Sequence, residues 1–262
     1  MHLKTELRLL SILMLSFLVL SSASALAQLT PKNESGVTIG HVHWLVPNPQ
    51  MHEKLWVDLF GAQVAHAGAL DIIKLPGVII LINPPQGTGV PGEPTADHIA
   101  FLVRDLAAVK QKLASANIQM AEGSSIAAFP DGVRVEFIED KSLGVPVAFS
   151  HYHLYAADVE SIRSWYIKTF GGIKFPAGPN FPGGEVRFTA QSDPPRVPTK
   201  GHVLDHIGFE VKDLPEFCKK LEAQGTKLDM KILEAPQIGL TVTFITDPIG
   251  TRIELTEGLA DK

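Results

Sequence analysis

Read for its alternation of apolar and polar positions, the chain repeats one pattern four times. The segments HVHWLVPNP, DHIAFLVRDL, SHYHLYAADV and DHIGFEVKDL align so that His41, His98, His151 and His206 share one register, at intervals of 57, 53 and 55 residues. Each reads as a strand that gives way to a residue able to cap a helix: Asn48, Asp105, Asp158 or Asp213. Helix-period segments follow as PQMHEKLWVDLFG, LAAVKQKLASANI, VESIRSWYIKTFGG and LPEFCKKLEAQGTK. Three of them stop at Gly61, Gly171 and Gly225, the residue type that enters the left-handed conformation at least cost, and the second stops at Asn117. Runs such as GVIILI, VRVEFIE, EVRFTA, LTVTFIT and TRIELTE, separated by Gly and Pro turns, then read as strands. Each copy therefore predicts a β-α-β-β-β module, and the fold class is α+β.

The copies resemble one another in the order A-B-A-B. The first and third share an aromatic-rich helix, whereas the second and fourth share DHI at the first strand and a glutamate in the last. This order points to duplication of a two-module unit, with domains expected over 37–144 and 145–262. The Pro- and Gly-rich stretches GTGVPGEPTAD and QSDPPRVPTKG read as exposed connectors inside these units.

Upstream of the repeats the periodicity is lost. Lys4 and Arg8 precede an apolar run from Leu9 to Leu20 and an Ala25-Leu26-Ala27 terminus, the pattern of a signal peptide over residues 1–27 cleaved before Gln28. The expected location is periplasmic or secreted, with no membrane association after cleavage. An oxidising compartment brings no disulfide here, because Cys218 is the one cysteine of the sequence and lies on the apolar helical face of Leu214, Phe217 and Leu221. With 23 Lys and Arg against 28 Asp and Glu, the net charge is −5, and no basic block is interleaved with aromatics, which argues against nucleic acid as a partner. No G-x-S-x-G, phosphate-binding Gly-rich loop or C-x-x-C motif occurs.

The candidate chemistry lies in the histidines. Side chains alternate along a strand, so His43 and His153 share a face with His41 and His151. The last strands of copies two and four place Glu136 and Glu254 four residues after Gly132 and Gly250, while Leu81 after Gly77 and Phe188 after Gly184 fill that place in copies one and three. Each half of the repeat thus carries two histidines and one glutamate. Neutral imidazoles with one carboxylate suit a divalent metal (Fe, Mn, Zn or Ni) and leave coordination positions for substrate. Arg134 and Arg252, two residues before the glutamates, are candidates for holding an anionic substrate group, or for pairing with a neighbouring acid. His43 and His153 are candidate proton carriers, or hydrogen-bonding pocket walls.

DHIAFLVRDL and DHIGFEVKDL, together with TDPIGTRIELTEG, make the chain similar to the vicinal oxygen chelate superfamily of glyoxalase I, extradiol dioxygenases, fosfomycin-resistance enzymes and bleomycin-binding proteins. The resemblance covers residues from about 37 to 258. It implies that modules pair into two cups of curled sheet, with metal held by first-strand residues His41, His98, His151 and His206 and last-strand residues Glu136 and Glu254. Leu81 and Phe188 depart from the four-ligand pattern of glyoxalases and become substrate-facing candidates. The extradiol set of two His and one Glu matches His151, His206 and Glu254, although a tyrosine is expected where Phe244 stands. Modules may pair one with two and three with four, or exchange to give His41, His206, Glu254 and His98, Glu136, His151. The resemblance implies a metal-dependent lyase, isomerase or extradiol-type dioxygenase acting on a small oxygenated substrate, the alternative being a sequestering protein of the bleomycin-resistance type.

Overall fold

A computed structural model of the chain describes residues 29–68 and 70–262; the leader of residues 1–27 lies outside the described residues. The first module runs β1 (Val37–Leu45), α1 (Pro49–Phe60), β2 (Gln63–Ala67), β3 (Leu70–Leu75) and β4 (Val78–Asn83). The second runs β5 (Ala96–Val103), α2 (Leu106–Ser115), β6 (Gln119–Met120), β7 (Ile126–Ala128) and β8 (Arg134–Glu139). The third is β9 (Val147–Ala156), α3 (Val159–Phe170), β10 (Asn180–Phe181) and β11 (Gly184–Ala190). The fourth is β12 (Leu204–Val211), α4 (Leu214–Ala223), β13 (Leu233–Ala235), β14 (Leu240–Thr246) and β15 (Arg252–Glu257).

The helix boundaries follow the capping chemistry. Asn48, Asp105, Asp158 and Asp213 each accept a hydrogen bond from a backbone N–H three residues on, at 2.9 to 3.1 Å. Asn117, at φ 57°, takes the left-handed place that glycine fills after the other helices. The third module departs from the pattern because KFPAGPNFPGG is too rich in proline to sustain a ladder. A loop lies beside β11 instead, its Ala177 and Pro179 carbonyls accepting from the N–H groups of Phe188 and Val186.

The modules pair crosswise. One sheet has the order β13-β14-β15-β12-β1-β4-β3-β2 and joins modules one and four; the other has the order β10-β11-β9-β5-β8-β7-β6 and joins modules two and three. The halves 37–144 and 145–262 are therefore not one cup each, and the exchanged pairing is the one formed. In this arrangement β1 meets β12 antiparallel with His43 opposite His206, and β5 meets β9 antiparallel with His98 opposite His153. The helices keep to their own halves. Trp56 of α1 stacks between Trp44 of β1 and Phe129 of the second module, while Tyr166 of α3 reaches Phe209 of β12 and donates to the buried Asp247 at 2.9 Å. Tyr152 of β9 crosses the core to donate to the carbonyls of His41 and Gly208, at 2.8 and 3.2 Å. Cys218 is buried on α4, and burial pushes its thiol up to about 11, which suits a small apolar side chain rather than a reactive one.

Candidate metal centres in two cups

Because β1 and β12 run side by side with their histidines on the concave face, His41 and His206 converge on the carboxylate that β15 supplies. Their Nε2 atoms lie 3.0 and 2.7 Å from Glu254 Oε2. In the other cup His98 and His151 direct Nε2 at Glu136 Oε2 from 3.4 and 3.3 Å. Those two nitrogens are buried and lack a hydrogen bond of good geometry. The six histidine and glutamate positions read from the sequence as ligands are thus all brought together, as two sets drawn from opposite halves of the chain.

Both sets fit a divalent cation by their donor chemistry. A carboxylate only accepts, so two imidazoles can share Glu254 Oε2 without an ion only if both carry a proton on Nε2. Yet Nδ1 of His206 also lies 2.5 Å from Asp205 Oδ1, so the metal-free arrangement demands a doubly protonated ring. A cation in place of those protons meets a lone pair from every member of the set. The supporting residues went unnoticed in the sequence although they stand in the DHI motif itself. Asp205 holds His206 and is itself held by Arg252 at 2.8 Å; Asp97 holds His98 at 2.7 Å and takes Arg134 at 2.6 Å. A carboxylate on Nδ1–H fixes the tautomer and aims Nε2, as metal-binding histidines require. Both arginines are therefore engaged by acids. Ser150 serves His151 in the same way at 3.1 Å, whereas His41 Nδ1 has no partner among the described residues and its ring lies over Gly208.

At Gly208 a Cβ would fall 2.1 Å from the His41 ring, whereas Ala100 stands at the matching ladder position opposite Glu136. Gly208→Ala is expected to displace His41, weakening metal binding in the first cup while the second is unchanged. The cost in stability is about 1–3 kcal/mol. Metal titration and denaturant unfolding of the variant check both.

Phe188 requires a correction. Of the two adjacent glycines at the start of β11 it is Gly183, just before the strand, that takes the positive φ, 93°, so the strand register counts from Gly183 and the inward position is Arg187. The ladder agrees: Leu81 faces His43 across β4 and β1, and Arg187 faces His153 across β11 and β9. Phe188 points the other way, buried against Tyr166 with ring centroids 5.3 Å apart. Leu81 does line the cup as expected.

The cup of modules one and four opens onto a cavity of about 870 Å³, with Glu254, His206 and His43 among its lining residues. Its walls are largely apolar, with Leu45, Leu70, Leu81, Val242, Phe244 and Leu259. The two connectors meet at its mouth, where the Gly89 N–H donates to the Gly201 carbonyl at 3.0 Å. His43 packs edge-on against His206 at 4.6 Å, with Nε2 buried and unpaired among the described residues. Burial first, and His206 second, lower its pKa to about 3, so it is a neutral imidazole at ordinary pH. His153 sits 4.6 Å from His98, and burial lowers it to about 4.

In the metal-free protein burial opposes ionisation of Glu254 but is outweighed by His41 and His206, which hold the carboxyl well below the usual range. Burial likewise lowers His206, yet the bonds to Asp205 and Glu254 leave its pKa raised. The signs follow. The depressed Glu254 contributes stability present above its ordinary 4.5 and lost as pH falls through its folded value. The raised His206 contributes stability complete below its ordinary 6.5 and lost as pH rises through its folded value. The melting temperature of chelator-treated protein is therefore expected to peak between these limits. Asp247, pushed up to about 6 by burial, favours the acid side, whereas His43 and His153, lowered to about 3 and about 4, take up protons on unfolding below 6.5 and draw the peak toward that upper limit. A monotonic rise of melting temperature from pH 4 to 8 would contradict this.

Comparison with known proteins agrees with the geometry. Residues 148–255 match the family model of the Glyoxalase/Bleomycin resistance protein/Dioxygenase superfamily. Glyoxalase I from Zea mays shares the fold with a TM-score of 0.65, over 86% of this chain and 94% of that one, at 15% identity. A dioxygenase candidate from Bacillus subtilis does so with a TM-score of 0.62, over 88% of this chain and 86% of that one, at 13% identity. No curated protein matches the chain in sequence. Residues 148–255 thus carry the glyoxalase, bleomycin resistance and dioxygenase superfamily signature, and the chain as a whole has the two-domain arrangement of a glyoxalase I-like fold. Its His/Glu clusters are consistent with metal sites, and the superfamily suggests a small-molecule ligand.

Proposed function

We propose that this protein is a metal-dependent enzyme whose working site is the cup of modules one and four, with His41, His206 and Glu254 as ligands. The observation that carries the reading is the convergence of these three donors, one carboxylate oxygen within 3.0 Å of both imidazoles, at the edge of the 870 Å³ cavity. A divalent cation there would polarise neighbouring oxygens of a chelating substrate and stabilise the negative charge that develops on them. The chain's own residues prepare that chemistry. Arg252 and Asp205 lock the His206 ring, Leu81 and Phe244 keep the surroundings apolar, and neutral His43 can accept a hydrogen bond from a substrate hydroxyl.

This reading favours a lyase, an isomerase or an extradiol-type dioxygenase acting on a small oxygenated substrate, outside the cytoplasm if residues 1–27 direct export. Elemental analysis of protein purified from its native compartment without added metal tests it. Iron or manganese near stoichiometry supports oxygenase chemistry, and zinc or nickel supports isomerase or lyase chemistry. Absence of metal even after reconstitution would overturn the reading in favour of a sequestering protein whose histidines are pocket walls. Recovery of mature protein, starting at Gln28, from a periplasmic or culture fraction tests export.

A further inference from the structure

The two cups share a ligand pattern but differ in what surrounds it. In the cup of modules one and four, three donors lie within 4.8 Å of one another: His41, His206 and Glu254. In the cup of modules two and three there are four within the same limit, because His153 joins His98, Glu136 and His151. The difference begins at the inward position of the last strand. Leu81 there leaves His43 against His206, outside the donor group; Arg187 stands opposite His153 but is drawn aside by Glu185, whose carboxylate takes its Nε and one terminal nitrogen at 3.0 and 3.3 Å. Further contacts set the four-donor group in place. Ser125 donates to Glu136 Oε1 at 2.7 Å, and His153 Nε2 lies 2.9 Å from the Thr189 hydroxyl. When Nε2–H donates to Thr189, Nδ1 of that ring carries the lone pair.

Four protein donors of the N₃O kind fill a tetrahedral shell and admit substrate only where the coordination expands beyond four, as the four-ligand glyoxalase pattern requires, whereas three donors leave a position open. We infer that the cup of modules two and three is a closed, non-catalytic metal site in which His153 is the fourth ligand, and that the cup of modules one and four is the open one. The inference rests on the proposed reading of both cups as metal sites.

Cobalt(II) is the probe, since its visible absorption is strong in tetrahedral and weak in higher coordination. His206→Ala protein retains only the closed cup, and Glu136→Gln protein only the open one. The first is expected to bind one cobalt with strong absorption that acetohydroxamate, a bidentate oxygen ligand, leaves unaltered. The second should show weaker absorption that acetohydroxamate changes. Adding His153→Ala, or His153→Asn should the alanine fold poorly, to the first protein is expected to weaken cobalt binding at least about ten-fold and to make the spectrum respond to acetohydroxamate. His43→Ala in the second should leave cobalt affinity unchanged. If both His153 variants keep the affinity and the spectrum, or acetohydroxamate acts equally on both cups, the division is wrong while the metal reading stands. If neither single-cup protein binds cobalt, both fall.

Discussion

Glu254→Gln is expected to empty the open cup of metal and lower kcat/KM by about 100-fold or more. The substitution preserves shape but removes the one negative charge among the three donors and replaces an oxygen by an amide N–H₂. His41 and His206 would then face a donor or a neutral oxygen instead of the carboxylate they now share. Metal per chain and steady-state kinetics measure the effect, and Asp205→Asn, which loosens only the support of His206, should cost a smaller 10- to 100-fold in metal affinity. A sequestering protein would separate the two readouts, losing metal while keeping most of its ligand affinity. Unchanged metal content and unchanged turnover in Glu254→Gln would remove the open cup from the mechanism.

Trp56→Ala is expected to destabilise the fold by about 3–5 kcal/mol. Trp56 is fully buried, with centroids 5.6 Å from Trp44, 5.3 Å from Phe101 and 5.5 Å from Phe129, the last nearly parallel at 4°. Its indole is the contact through which the helix of module one grips the sheet that module two builds. The Nε1–H is buried without a partner among the described residues, so Trp56→Phe removes an unsatisfied donor along with some volume and should cost markedly less. Chemical denaturation of the two variants beside the parent gives the comparison; an alanine no worse than the phenylalanine would show that the cavity is refilled.

The sequence made the repeat legible because caps and strand histidines are local features. The spacing of His41, His98, His151 and His206 and the cap at each Asx residue depend on a few neighbouring positions, and the structure keeps them all. Glu136 and Glu254 were readable for the same reason, as offsets from a turn glycine. The pairing of modules was not, since either arrangement supplies two histidines and one glutamate to each cup. Phe188 was misplaced because two adjacent glycines, Gly183 and Gly184, stand where its strand begins and only backbone conformation tells which one turns. Arg187, now at that position, carried no signal until the register was known. Asp97 and Asp205 could have been found, because an aspartate beside a candidate ligand histidine is the usual partner for its second nitrogen. The apolar cavity depends on two distant connectors meeting at Gly89 and Gly201, which no local pattern announces.

The crossed construction has a thermodynamic consequence. Helices pack within each half of the chain, while sheets pair between the halves. Neither half can come away without tearing both sheets, and neither cup can part from the other without pulling apart the aromatic cluster that each half builds between them. The molecule should therefore melt in one cooperative transition, with calorimetric and van't Hoff enthalpies in agreement. A ligand bound in either cup then stabilises all four modules together.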